Sequence, residues 1–322
     1  MSLLQGEKVF ITGATGFIGS NLARRCLERG AEVFINVRKT SDTWRIKDIL
    51  PEINSVLVDI SDYEKLSGAL KEVRPDFIFH TAAYGGSADQ KNTEKIIETN
   101  IIGTVNLVRS CRNISLSLLV NTGSSSEYGI KNSVMDESSL LEPVTEYGVS
   151  KAAATLFCQS YAAAYDLPIV TLRLFSPFGR YEQKSRLVPS VILAALQKIN
   201  PQISSRQFVR DFIYIDDVLD AYESAVRLRN SSGNIFNIGS GRQHSVGEVV
   251  DCIIKILGNE VAYETGTPQA WKNEPAFWQA DIQKAKSELP WEPGYSLERG
   301  LAATVDWFKV HKGLYGLSPE PA

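Results

Sequence analysis

The sequence predicts an α/β protein in which a doubly wound parallel sheet is joined to a smaller α/β lobe near the carboxyl terminus. The first half of the 322-residue chain alternates short β-branched runs with helix-length amphipathic stretches, a pattern typical of βαβ units. A glycine-rich loop joins the first of these runs to the first helix, and the alternation fades after Phe175. At roughly 150 residues per domain, the length fits one large domain with an appended lobe.

Six short apolar runs in the first domain are predicted to be strands, and their continuous hydrophobicity suits a parallel sheet covered on both faces. They occupy residues 9–12, 33–37, 55–59, 77–81, 118–122 and 169–175. Further strands are predicted at 212–215 and 234–238, with a helix from Asp216 or Asp217 between them. We therefore assign residues 1–175, with about 211–240 returning, to the sheet domain, and 176–210 with 241–322 to the smaller lobe.

Two Ser-x-x-Glu sequences indicate where helices begin. Ser61 precedes Glu64 by three residues, and Ser245 precedes Glu248 by the same spacing. In such a capping box the serine and the glutamate each satisfy a free backbone N–H group. The pattern predicts one helix starting near Ser61 and another over residues 245–257.

The composition excludes several classes of protein. Lys and Arg total 34 against 37 Asp and Glu, so the formal charge of −3 provides no broad positive field for nucleic acid or an anionic membrane. No apolar stretch approaches the length of a membrane span, and the first predicted strand begins too early for a cleavable signal peptide. We expect a cytoplasmic protein.

The cysteines and histidines do not indicate a metal centre. The four cysteines are far apart in apolar contexts, which favours buried thiols over disulfides or zinc ligands. No His or Cys pair has ligand spacing among these residues: Cys26, Cys111, Cys158, Cys252, His80, His244 and His311.

A G-x-x-G-x-x-G loop stands between the first predicted strand and the first helix. Glycines there let the backbone approach a pyrophosphate, whose charge is met by free N–H groups and the positive end of the helix dipole. The position between strand and helix predicts dinucleotide binding rather than a plain turn. The loop reads Gly13-Ala14-Thr15-Gly16-Phe17-Ile18-Gly19.

The end of the second predicted strand indicates which dinucleotide binds. NAD enzymes usually offer a carboxylate here to the adenosine ribose, but Val37 occupies that position. Arg38 and Lys39 follow it and could pair with a ribose 2′-phosphate. These residues favour NADP(H) over NAD(H), although an ordinary basic turn would leave NAD as the cofactor.

Tyr147 and Lys151 have a spacing that suits proton transfer. In the sequence Tyr147-Gly-Val-Ser-Lys151 the phenol and the ammonium lie one helical turn apart on the same face. A neighbouring cation favours the phenolate and so lowers the pKa of a tyrosine. Ser124 follows the fifth predicted strand, at the sheet edge where clefts of open α/β sheets lie. We expect Ser124, Tyr147 and Lys151 to be catalytic.

At this point the chain resembles the extended short-chain dehydrogenase/reductases that act on nucleotide sugars, the epimerase/dehydratase family with a Rossmann-type fold. The glycine loop and the Ser and Tyr-Lys motifs carry the resemblance. It extends through Leu57-Val-Asp59, His80-Thr-Ala-Ala83, Asn100-Ile-Ile-Gly-Thr104, Arg210-Asp-Phe-Ile-Tyr-Ile-Asp-Asp217, Asn237-Ile-Gly-Ser-Gly241 and Ala280-Asp281-Ile.

The resemblance implies that the sheet domain binds the NADP cofactor and that the smaller lobe binds the substrate, and it implies roles for further residues. It places Asp59 and Ile60 beside the adenine, Ala82 and Ala83 along the cofactor groove, and Lys151 on the nicotinamide ribose. On the substrate side it places Arg210 at the pyrophosphate of the sugar nucleotide and Arg186 with Leu187 beside its base or ribose. Substrate contacts are also expected from Ser125, Ser126 and Ser176, the last standing where relatives often carry Asn.

The segment around Ser124 favours one reaction within the family. Dehydratases of this kind carry acids directly after the catalytic Ser or Thr, whereas this chain has Ser125 and Ser126. Glu127 is one residue out of step and would face the other side of a strand. The motif resembles reductases of nucleotide-linked 4-keto-6-deoxyhexoses, which implies hydride delivery from NADPH to C4 with Tyr147 as proton donor.

Other readings remain open at this point. The chief alternative is a nucleotide-sugar 4-epimerase with retained NAD(P), and a 4,6-dehydratase or a non-catalytic dinucleotide sensor is less favoured. Relatives often carry an arginine near the carboxyl terminus that binds the pyrophosphate, and this chain lacks it in the segment before Trp278. Lys272 either replaces that arginine or is a solvated loop residue. Trp271, Trp278 and Trp291 are expected to pack under a long loop rather than frame the sugar. Apolar helices over 100–112 and 150–165 predict a homodimer, as in relatives.

Overall fold

The computed structural model describes residues 2–87, 89–203, 205–229, 231–258, 264–265 and 275–317. Seven strands form one sheet in the order β3-β2-β1-β4-β5-β6-β11, with every neighbouring pair parallel. The strands are β1 Lys8–Thr12, β2 Glu32–Val37, β3 Asn54–Leu57, β4 Phe77–His80, β5 Leu118–Ser124, β6 Ile169–Leu174, β7 Ser176–Phe178, β8 Gln202–Ile203, β9 Val209–Arg210, β10 Phe212–Tyr214, β11 Ile235–Ile238, β12 His244–Ser245 and β13 Glu264–Thr265. The predicted doubly wound α/β fold is confirmed.

Helices cover both faces of the sheet. They are α1 Phe17–Glu28, α2 Tyr63–Val73, α3 Thr93–Ile96, α4 Gly103–Cys111, α5 Glu146–Tyr165, α6 Leu187–Leu196, α7 Ile215–Ala225, α8 Val246–Leu257, α9 Gln283–Glu288 and α10 Leu297–His311. A π-helical turn, Ile97–Ile102, joins α3 to α4.

Alternate residues of the strands feed two hydrophobic cores, because successive side chains point to opposite faces. On β1, Phe10 packs with α2, α4 and α5, while Val9 and Ile11 pack with α1 and α7. The sheet therefore holds the carboxyl ends of β1 and β4 at its topological switch point, where a ligand crevice forms in such folds.

Several predicted boundaries need correction. The helix expected to be capped by Ser61 is capped by Asp62, whose side chain accepts a hydrogen bond from the Lys65 N–H, while Ser61 donates to Asp59. The third strand ends at Leu57, and α7 begins at Ile215 rather than at Asp216 or Asp217. The capping box at Ser245 is confirmed.

The carboxyl-terminal part packs α6, α8 and α10 together, and two buried aspartates bind backbone N–H groups of its loops. Asp211 accepts hydrogen bonds from the backbone N–H groups of Ser240 and Ala280, at 2.6 and 3.0 Å. Asp217 accepts from the Gly294 N–H at 2.7 Å. Burial raises the pKa of both carboxyls to about 6. The division into cofactor and substrate parts stays a prediction, although β11 pairs with β6.

Two further observations concern the described residues only. None of their helices has both the length and the apolar character needed to cross a bilayer. Within the same part of the chain, no group of three or more His, Cys, Asp and Glu side chains is placed to hold a metal ion. The four cysteines are free thiols, and three of them are fully buried.

Candidate active site

Ser124, Tyr147 and Lys151 meet at the carboxyl edge of the sheet. Ser124 is the last residue of β5, and the other two lie on the first turns of α5. The side chain of Thr145 caps α5 by accepting from the Gly148 N–H. A Cβ at Gly148 would lie 2.5 Å from the Ser126 carbonyl oxygen, so the helix start packs directly on the loop after β5. The three predicted catalytic residues are therefore brought together.

The titration of these groups is set mainly by burial. Burial raises the pKa of the half-buried Tyr147 phenol, and a hydrogen bond with Ser124 and the charge of Arg186 oppose that rise. Burial lowers the pKa of Lys151, which is 3% exposed, and the negative charge of Glu127 opposes that fall. The expected lowering of the tyrosine pKa by Lys151 is not seen in this structure.

Glu127 points into the core beneath the site. Its carboxylate accepts from the Ser124 N–H at 2.8 Å and from the Thr155 hydroxyl at 3.0 Å. It also pairs with the Arg173 guanidinium at 2.7 Å, and both side chains are almost completely buried. Because it is enclosed in this way, Glu127 supports Ser124 and is not available to a substrate.

The glycine loop fits a dinucleotide. Gly13 has a φ of +73°, and a Cβ there would lie 2.6 Å from Ala82. At Gly19 a Cβ would lie 2.4 Å from the Gly13 carbonyl oxygen. No side chain caps the start of α1, since its N-cap is Gly16. The first N–H groups of α1 are thus free of a side-chain cap, as a pyrophosphate requires.

Thr15, Phe17 and Ile18 complete the loop as half-buried residues. Asn36 steadies the loop from β2, because its side chain accepts from the Gly13 N–H at 3.2 Å and donates to the Val58 carbonyl. The sequence analysis did not predict this role of Asn36. Asn36 directly precedes Val37, the position where NAD enzymes usually carry a carboxylate.

The expected adenosine end is formed by the residues after β2 and β3. The Arg38 guanidinium lies 3.9 Å from the Asp59 carboxylate, and both side chains are about half exposed. Lys39 is exposed beside them. Ile60 is 4% exposed and packs against Gly103, so its side chain is part of the core. Ala82 is half-buried and Ala83 exposed after β4.

Arg186, which the resemblance places beside the base or its ribose, contacts the loop that lies against Tyr147. It stands at the start of α6 directly before Leu187 and donates to the Gly86 carbonyl at 3.2 Å. A Cβ at Gly86 would lie only 3.8 Å from the Tyr147 hydroxyl. Burial raises the pKa of Glu182 to about 8, and the neighbouring Arg186 opposes this rise.

Trp278 connects the other expected substrate residues. Its indole N–H donates to the Ser125 hydroxyl at 3.2 Å, and its ring lies 5.3 Å from the Arg210 guanidinium. Ser126 donates its backbone N–H to Ser124 Oγ, and Ser176 is half-buried at the start of β7. Trp278 was expected only to pack, so its contact with the loop after Ser124 was missed.

Of Trp271, Lys272 and Trp291, the structure describes only Trp291. Trp291 is buried and donates to the Asp217 carbonyl, which agrees with the expected packing role. Trp271 and Lys272 lie outside the described residues.

Two buried polar residues support the site from below. His80 bridges the hydroxyls of Thr12 and Thr104, at 2.6 and 2.9 Å. Burial and the charge of Lys151 lower the pKa of His80 to about 3, so the imidazole is neutral. Asn100, in the π-helical turn, hydrogen-bonds both backbone groups of Tyr84. The sequence analysis identified the motifs that contain His80 and Asn100 but did not predict these hydrogen-bond partners.

The chain is similar to known proteins over most of its length. Residues 9–239 match the NAD dependent epimerase/dehydratase family. An uncharacterized UDP-glucose epimerase, YtcB of Bacillus subtilis, is 31% identical over 92% of this chain and 96% of its own length. A dTDP-glucose 4,6-dehydratase of Xanthomonas campestris is 27% identical over 94% of this chain and 93% of its own length.

Among solved structures, the UDP-glucuronic acid 4-epimerase of Bacillus cereus, in complex with UDP-glucuronic acid and NAD, is similar with a TM-score of 0.84. It is 28% identical, with 94% of this chain and 99% of that chain covered. The chain belongs to the NAD dependent epimerase/dehydratase family. These relatives are epimerases and dehydratases, so the expected closeness to 4-keto reductases stays a prediction.

Proposed function

We propose that this member of the family catalyses 4-epimerisation of a nucleotide-linked hexose with a retained nicotinamide dinucleotide. One observation carries the proposal: Ser124, Tyr147 and Lys151 converge at the sheet edge, while the neighbouring carboxylate, Glu127, is locked to Arg173 in the core. The site thus has groups for proton transfer at one hydroxyl and no carboxylate on the loop positions 125 and 126 for a second proton transfer. The epimerase names of several relatives support this choice over ketoreduction.

The glycine loop and the three catalytic residues have separate roles in this reaction. The glycine loop and the start of α1 would hold the dinucleotide, which when bound supplies a hydride acceptor and donor for C4. Tyr147 takes the proton of the 4-hydroxyl as C4 is oxidised and returns a proton when C4 is reduced on its other face. The Ser124 hydroxyl hydrogen-bonds the same oxygen and the Tyr147 phenol, and Lys151 would hold the nicotinamide ribose of the bound dinucleotide. The hydrogen bond from the Ser124 N–H to the Glu127 carboxylate holds Ser124 in place beside Tyr147.

A second candidate is NADPH-dependent reduction of a 4-keto-6-deoxyhexose. It is favoured by Val37, which leaves no carboxylate at the end of β2, and by the exposed Arg38 and Lys39 that follow. The two reactions share the same proton donor and differ in whether reducing equivalents are consumed.

The test is to incubate the purified protein with UDP-glucose, UDP-glucuronate and dTDP-glucose without added reductant. An isomer of unchanged mass, detected by chromatography and proton NMR, is the expected product. Loss of water from the product would refute epimerisation in favour of dehydration. Stoichiometric NADPH oxidation by nucleotide-linked 4-keto-6-deoxyhexoses, with no isomerisation, would establish the reductase. Tight dinucleotide binding with no turnover of any substrate would favour a sensor.

The catalytic assignment has its own test. We expect Tyr147→Phe to abolish turnover and to leave dinucleotide affinity within a few-fold. Tyr165→Phe, near the far end of α5 and 44% exposed, is the matched control and should retain activity. Retained turnover in Tyr147→Phe would show that another group moves the proton.

We also propose a homodimer formed through α4 and α5. Ile97, Ile102, Val149 and Leu156 are 44–54% exposed along these helices and the preceding π-helical turn. Light scattering should give twice the chain mass of 35.6 kDa, and Leu156→Glu should shift the protein towards the monomer. A monomeric mass for the unmodified protein at working concentration would exclude the dimer.

A further inference from the structure

Trp278 joins two parts of the substrate site that are distant in sequence. It is 8% exposed, and its indole N–H reaches Ser125 Oγ, one residue after Ser124. The face of the same ring lies 5.3 Å from the Arg210 guanidinium on β9. One side chain therefore contacts both the loop that carries a catalytic residue and the arginine expected at the diphosphate.

The backbone around Trp278 is anchored on both sides. The Trp278 N–H donates to the Gln243 side chain at 2.8 Å, and the Gln279 carbonyl accepts from the Met135 N–H at 2.9 Å. The next residue, Ala280, donates to the buried Asp211 carboxylate. These contacts fix the backbone that carries the indole. The indole can therefore hold the Ser125 hydroxyl and the Arg210 guanidinium in defined positions.

The two contacts of the indole have different chemical consequences. A hydroxyl carries one O–H donor and two acceptor lone pairs, so a bond from the indole N–H occupies an acceptor of Ser125 and leaves its O–H as a donor. A guanidinium held over an aromatic ring keeps a defined plane, and that plane suits the oxygens of a phosphate.

We infer that Trp278 is a positioning residue that couples the sugar end of the site to the diphosphate end. It holds the Ser125 hydroxyl and the Arg210 guanidinium at a fixed separation, so that a bound nucleoside diphosphate sugar presents C4 to Ser124 and Tyr147. This inference rests on the proposed function for its reaction, but its two contacts are tested separately.

The Ser125 contact is tested with Trp278→Phe, which keeps a ring and removes the N–H, together with Ser125→Ala and the double variant. With the dinucleotide bound, we expect each single change to lower kcat by about fivefold to tenfold, the range of one lost hydrogen bond, with UDP affinity within twofold. The double variant should lose no more than the worse single variant. Independent, multiplying effects would overturn the inference, because two residues that act through one bond cannot lose it twice.

The Arg210 contact is tested with Trp278→Leu, with binding of UDP and of inorganic pyrophosphate measured by calorimetry. Loss of the ring face should weaken both ligands by about threefold to thirtyfold, as expected for a partly desolvated cation–π contact. Unchanged affinity would overturn this half of the inference. Should Trp278→Leu fail to fold, Trp278→Met, which also removes the ring, replaces it in the same titrations, and the cycle with Trp278→Phe still decides the Ser125 half.

The design separates this inference from the proposed function. No turnover of any nucleotide sugar, with UDP binding weakened by Trp278→Leu, would refute the function and support the diphosphate half of the inference. Turnover in the unmodified protein with no effect of the Trp278 variants would support the proposed function and refute the inference about Trp278. An unmodified protein that binds neither UDP nor pyrophosphate would overturn both.

Discussion

The ion pair between Glu127 and Arg173 should be one of the most sensitive places in the molecule. The two side chains are 0% and 2% exposed, and they meet at 2.7 Å beneath Ser124. Arg173→Met would leave the carboxylate without its cation, and Glu127→Gln would leave the guanidinium without its anion. Breaking a buried pair in this way costs about 3–5 kcal/mol, a large part of the ~5–15 kcal/mol by which proteins of ordinary stability remain folded.

The double variant Glu127→Gln with Arg173→Met distinguishes the pair from its separate halves. It removes both charges, keeps an amide oxygen as acceptor for the Ser124 N–H, and leaves no unpaired ion in the core. We therefore expect its loss of stability to be smaller than the sum of the single losses by about 2–3 kcal/mol.

The assay is the free energy of unfolding in urea for the unmodified protein and the three variants. Asp251→Asn is the matched control, because Asp251 pairs with Arg206 at the same 2.7 Å but is 51% exposed. That exposed pair should contribute less than about 1 kcal/mol. Additive losses in the double variant, or a control as damaging as Glu127→Gln, would refute the reasoning.

Three further perturbations have distinct expected outcomes. The native pKa of His80 is about 3 against 6.5 when unperturbed, so His80 contributes stability above pH 6.5 that is lost as the pH falls. Its share of the loss between pH 7.5 and 5 should be about 2 kcal/mol, and His80→Gln should unfold in urea with that much less pH dependence. Gly19→Ala places a Cβ 2.4 Å from the Gly13 carbonyl oxygen and should weaken dinucleotide binding, measured by calorimetry, at least tenfold. The control Gly68→Ala lies on α2 with open space around it and should bind the dinucleotide normally. Ser245→Ala removes the cap of α8 and should lower the free energy of unfolding by about 1 kcal/mol, and no change would show that the cap is dispensable.

The local features of this protein could be predicted from its sequence. The strands of the sheet, the glycine loop before α1 and the helical spacing of Tyr147 and Lys151 depend on residues within about one turn or one strand of each other. Even here a competition between neighbours could be misjudged, since Asp62 rather than Ser61 caps α2. Both residues can cap a helix, and the extended backbone at Asp62 decides between them.

Long-range partners required the tertiary structure. Glu127 was expected to face away from the site, but its bond to Arg173, 46 residues later, appears only when β5 and β6 lie side by side. The contact of Trp278 with Ser125 spans 153 residues. Periodicity tells which face a residue occupies, but not which residue of another element stands opposite. That pairing follows from how the sheet and the carboxyl-terminal segment pack, because a hydrogen bond between distant residues exists only where the fold brings both atoms to within about 3 Å.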